Sequence, residues 1–82
     1  MIDPRKLPQI LYIDHSDESR SLVRRLLSHK YVILEAVGAL DGFQLAEETR
    51  PNLILVDYNL PHMNGSEAAT RLHKILPQTP IV

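Results

Sequence analysis

Eighty-two residues give room for one small domain. With 44% hydrophobic, 23% charged and 5% aromatic residues, the chain is an ordinary globular one, not a disordered or collagen-like one. Nine basic against ten acidic side chains leave a net charge of −1, so no global basic field holds nucleic acid or anionic lipid, and zero Cys excludes disulfide frameworks, thiolate metal sites and cysteine nucleophiles.

Residues 1–8 hold three charges and two prolines before any apolar pattern and read as an N-terminal leader, with the domain spanning 9–82. Gln9–Asp14 is a compact apolar run closed by polar residues, as expected of a strand buried on both faces. Ser16, Asp17 and Glu18 then suit a helix start, where acids complement the dipole. Leu22, Val23, Leu26 and Leu27 follow helical spacing as one apolar stripe, with Arg20, Arg24 and Arg25 facing outward and His29-Lys30 closing the helix. Tyr31–Ala36 is rich in β-formers and reads as the second strand. Gly38 marks a turn, and Phe43, Leu45 and Ala46 give a weaker helical stripe ending near Thr49, before Arg50-Pro51-Asn52 breaks it. Leu53–Asp57 is the third and most apolar strand; Asn59–Gly65 reads as a loop from its Pro, Asn and Gly content. Ala68, Ala69, Leu72, Ile75 and Leu76 form a third helical stripe stopped by Pro77, and Thr79–Val82 opens a fourth strand.

Strict β–α alternation implies an α/β fold: a doubly wound parallel sheet with right-handed crossovers, whose functional residues collect at the carboxyl ends of the strands. The first strand ends in Asp14 and the third in Asp57. In the flavodoxin-like order, with strands one and three adjacent, these carboxylates converge in one cleft. Two such groups repel each other and are relieved by a hard cation, typically Mg²⁺, and a carboxylate is also a nucleophile for phosphoryl transfer.

Ile10–Asp14, Glu35-Ala36, Arg50–Asp57 and Asn59-Leu-Pro-His-Met-Asn-Gly65 together resemble the receiver domain of two-component response regulators, over residues 9–82. The most specific stretch is Leu53–Gly65. The resemblance implies a sheet ordered 2-1-3-4, with Asp57 as phospho-acceptor from a sensor histidine kinase or phosphotransfer protein. It implies that Asp14 and Asp57 serve Mg²⁺ with the backbone carbonyl of Asn59, and that Pro61 and Gly65 shape the loop after the acceptor. The domain would be a cytoplasmic signalling switch, not a metabolic enzyme, with no nucleic acid or membrane as direct partner.

Two departures accompany the match. The family carries a second acid after the first strand, where this chain has His15, and imidazole suits transition ions better than Mg²⁺. A complete receiver also continues with a helix, a strand and a helix after strand four. The chain is therefore expected either to be part of a longer one or to complete its fold with a partner or a second copy. The competing function is a pseudo-receiver or receiver fragment that serves as a phosphorylation-independent interaction module. A nucleotide- or flavin-binding domain of the same architecture lacks its Gly-rich phosphate loop, since Asp14-His-Ser-Asp17 stands there. His29, His62 and His73 share no short metal spacing and read as solvated; Tyr12 and Tyr58 read as packing residues beside the cleft, Tyr58 with a share in gating it.

Overall fold

The computed structural model describes residues 7–82, so residues 1–6 of the expected leader lie outside the described residues. The elements alternate in chain order: β1 (Gln9–Ile13), α1 (Asp17–Leu27), β2 (Val32–Ala36), α2 (Ala39–Thr49), β3 (Leu53–Val56) and α3 (Gly65–Ile75). The strands are all parallel, in the order β2-β1-β3. On the free side of β3, Ile81 forms a parallel bridge to Ile54, and the Val82 N–H donates to the Ile54 carbonyl at 2.9 Å. The expected fourth position is thus begun, giving the order 2-1-3-4.

Register settles which side chains share a face. Leu11 pairs with Leu34 and Ile54, and Ile13 with Ala36 and Val56, so these point to one side. There α2 and α3 pack on the sheet and on each other, and Leu11, Ile13, Ile54, Ala46, Ala68 and Leu72 are fully buried in one core. Close approach of α2 depends on Gly42, where a Cβ would lie 2.4 Å from Ile13 Cδ1. The opposite face carries Ile10, Tyr12, Ile33, Glu35, Leu53 and Leu55, and α1 packs there against β2.

On that second face the outward assignment of Arg20 is corrected. Arg20 is buried, at 8% exposure, and its guanidinium pairs with Asp17, lies 3.6 Å from Glu35 and donates to the Asp14 carbonyl. The cause is Glu35, an acid inside an apolar strand that needs a countercharge; Arg24 supplies a second at 2.7 Å. The α1 stripe is also only partly used, since Leu22 and Leu26 stand 49% and 60% exposed.

Helix ends follow local chemistry. The Ser16 hydroxyl accepts from the Ser19 N–H at 3.2 Å and Asn64 Oδ1 from the Glu67 N–H at 2.8 Å, each at an N-cap. Arg50 ends α2 in the left-handed conformation, φ 46°, with its N–H on the Ala46 carbonyl. Among the described residues no helix is long and apolar enough to cross a membrane.

Candidate functional site

The last paired residues of β1 and β3 are Ile13 and Val56, so Asp14 and Asp57 leave the sheet side by side at its carboxyl end. The Asp57 N–H donates to the Ile13 carbonyl at 2.8 Å, and the Asp14 N–H to the Ala36 carbonyl at 3.0 Å. Backbone hydrogen bonds therefore extend one residue past the strands and fix both acids. Asp14 is buried, at 6% exposure, whereas Asp57 is half-buried and reachable from solvent.

Asp14 is held by its own chain. The Tyr12 hydroxyl donates to Oδ2 at 2.6 Å and the Ser16 N–H donates to Oδ1 at 2.8 Å. The Tyr12 phenol is pushed up to about 12, first by burial, then by its hydrogen bond to Asp14 and the negative charges of Asp14 and Asp57. One phenol thus feels both carboxylates, which are neighbours in space as in register.

The wall beyond Asp57 depends on one glycine. At Gly65 a Cβ would fall 2.6 Å from the Asp57 carbonyl oxygen and 2.6 Å from Tyr58 Cα, and the Gly65 N–H donates to the Tyr58 carbonyl at 2.7 Å. The start of α3 therefore lies directly on the backbone of the candidate acceptor, where only glycine fits. Asn59 and Tyr58 are exposed on the intervening loop, and Leu60 is buried beneath it. His15 is exposed and lines a pocket with Val37, Leu40, Pro61, His62 and Met63, between the ends of β1 and β2 and the loop after β3. His62 has φ 67°, a left-handed conformation in the turn that carries Pro61 past the cleft. His29 and His73 are exposed and stand apart from the pocket that His15 and His62 line.

Asp14, Asp57 and the Asn59 carbonyl are oxygen donors of the kind Mg²⁺ takes, but the adjoining residue His15 offers nitrogen. Among the described residues no group of three or more His, Cys, Asp or Glu assembles that could hold a metal ion. With nitrogen from His15 in place of a further hard oxygen, and one lone pair on each Asp14 oxygen already engaged, the residues present are a poor fit for Mg²⁺. Two contributors to the site escape a reading of the sequence as packing and surface. Tyr12 lies two residues before Asp14, hence on its side of the strand, and Arg20 is signalled by the buried charge of Glu35.

A family model described as the response regulator receiver domain matches residues 10–82. Over 76 residues the chain is 34% identical to the autoinducer 1 sensor kinase/phosphatase LuxN of Vibrio campbellii, covering 92% of this chain and 9% of LuxN. Over 77 residues it is 38% identical to the transcriptional regulatory protein SrrA of Staphylococcus aureus, covering 90% of this chain and 31% of SrrA. The solved CheY-like response regulator receiver domain protein of Methanospirillum hungatei superposes with a TM-score of 0.88 at 28% identity, covering 93% of this chain and 62% of that one. The chain thus spans less than two thirds of each of these relatives.

Proposed function

The chain belongs to the response regulator receiver domain family, and from that premise we propose that Asp57 accepts a phosphoryl group from the phosphohistidine of a sensor histidine kinase or phosphotransfer protein. The observation that carries this reading is the position of Asp57, reachable from solvent at the carboxyl end of β3 beside Asp14. In the step, an Asp57 carboxylate oxygen bonds to phosphorus as the phosphorus–nitrogen bond of the donor breaks, and the departing imidazole retains the electron pair and takes up a proton. The domain is a signalling switch, with self-phosphorylation and slow loss of the phosphoryl group as its only chemistry, working in the cytoplasm. The Mg²⁺ dependence that the resemblance implies is not carried into this step, because the donor set is short of a hard ligand.

The test is treatment of native protein and Asp57→Asn with a small acyl phosphate, followed by mass spectrometry. Labelling at Asp57 alone, lost in Asp57→Asn, is the expected result; equal labelling of both proteins overturns it. A second reading, a phosphorylation-independent interaction module, is favoured by His15 and by the occupied oxygens of Asp14. It predicts that neither protein is labelled.

A further inference from the structure

We propose that Tyr12 is a positioning residue that keeps Asp14 as an internal acceptor, so that this cleft, with His15 beside it, binds Mg²⁺ weakly. The proposal rests on the receiver reading of the cleft and concerns its cation affinity, not the identity of the acceptor. The two carboxylate oxygens offer about four lone-pair sites, and in Asp14 one on each is already taken: Oδ2 accepts from the Tyr12 hydroxyl at 2.6 Å, Oδ1 from the Ser16 N–H at 2.8 Å. The Tyr12 contact lies at the short, charge-assisted end for an O–H donor on a carboxylate. Donors on both oxygens fix the plane of the carboxylate, and the Arg20 guanidinium on the Asp14 carbonyl holds the backbone beneath it. Asp14 is also buried at 6% exposure, so it cannot swing out to meet an ion without giving up these bonds.

Mg²⁺ asks for the opposite. It demands near-ideal octahedral oxygen geometry and sheds water reluctantly, so a carboxylate whose plane is already set by other donors is a poor ligand unless that plane suits the ion. Ser16 donates through its backbone as part of the α1 N-cap, a feature any residue there supplies. Tyr12 donates through a side-chain hydroxyl that phenylalanine lacks. The hydroxyl is thus the removable half of the clamp, while the ring stays in place between the cross-strand neighbours Glu35 and Leu55.

The experiment is a Mg²⁺ titration of four versions of this chain: native, Tyr12→Phe, His15→Asp and the double variant. It is followed by the carbon-13 shift of the Asp14 carboxylate and by the amide shifts of Asp14 and Asp57. His15→Asp supplies the hard ligand and brings the affinity into a measurable range. In that background Tyr12→Phe should tighten Mg²⁺ about tenfold, opposite in sign to the loss of affinity that follows removal of an outer hydrogen bond supporting a bound ion. An affinity unchanged within about twofold, or weakened, overturns the proposal, because Tyr12 would then be only a packing residue or a support for the bound ion. Should Tyr12→Phe fail to fold, the His15→Asp protein still decides. In His15→Asp, where Mg²⁺ binds measurably, the Asp14 carboxylate carbon should stay fixed while the Asp57 amide shifts, and an Asp14 carbon shift that saturates together with that of Asp57 refutes the clamp. Acyl phosphate labelling of the same four proteins reports separately on the acceptor. A Tyr12 effect on Mg²⁺ without labelling removes the acceptor reading alone, and labelling without a Tyr12 effect removes the clamp alone.

Discussion

The guanidinium of Arg20 joins three acceptors from separate parts of the chain: the Asp14 carbonyl, the Asp17 carboxylate and Glu35 on β2. Its planar fork can serve all three, which a lysine ammonium on a flexible stem cannot. Glu35 is only 24% exposed at its side chain, whereas Asp17 is 92% exposed, so the energetic weight falls on the Glu35 and carbonyl contacts. Arg20→Ala should therefore destabilise the fold by about 2–3 kcal/mol, below the usual cost of breaking a fully buried pair because Arg24 still reaches Glu35. Urea unfolding measures it, and a loss under about 0.5 kcal/mol, the range of surface substitutions, would place Arg20 in solvent. Tyr12 makes a different prediction, set by pH. Its phenol ionises near 10 when unfolded but only near 12 in the fold, so between those values the folded chain holds a proton that the unfolded chain has released. Stability contributed by this group is full below pH 10 and falls as pH rises toward 12. Thermal unfolding across that window should show a steeper decline for the native chain than for Tyr12→Phe.

The junction between β3 and α3 is built on close backbone approach. Gly65 sits so near Asp57 and Tyr58 that an added methyl would overlap main-chain atoms, which cannot rotate aside as a side chain could. Gly65→Ala should cost about 1–3 kcal/mol, as overpacking does, and should also slow labelling of Asp57 by displacing its backbone. Gly42→Ala meets the flexible end of Ile13 instead, so the companion change Ile13→Val should recover part of its loss, a recovery unfolding measurements on single and double variants can read. A Gly65→Ala protein of native stability and labelling rate would mean that α3 does not rest on the acceptor loop. These junctions explain what could be read from the residues alone. The apolar runs at β1 and β3 and the stripe of Ala68, Leu72 and Leu76 carry their own periodicity, so the strands, the helices and the pairing of Asp14 with Asp57 were legible. Arg20 was not, because helical spacing reports which residues share a side but not that a buried acid on β2 draws one cation inward. Asn64 was hidden for a related reason: a loop-like composition gives no sign that its last polar residue caps the next helix.

Burial is uneven between the two sides of the sheet. The side covered by α2 and α3 holds the contiguous core, while Ile33, Leu53 and Leu55 on the α1 side are only partly buried. Leu22 and Leu26, four residues apart on α1, add a further apolar stripe to that open side. Exposed contiguous apolar surface favours association, so the chain should self-associate as its concentration rises. Replacing the pair as Leu22→Glu with Leu26→Lys tests this without changing net charge, since Glu preceding Lys by four residues also supports the helix. Because both leucines are largely solvated, the double variant should keep its stability within about 0.5 kcal/mol per site. Leu72→Ala, in the fully buried core, should cost about 2–5 kcal/mol. Light scattering over a concentration series, with thermal unfolding on the same samples, reads both quantities. The expected pattern is association in the native chain, a monodisperse double variant of nearly equal melting temperature, and a much lower melting temperature for Leu72→Ala. If the native chain is already monodisperse at every concentration and matches the double variant, the α1 side is stable in water as it stands, and the stripe of Leu22 and Leu26 is not what drives this domain toward a second copy.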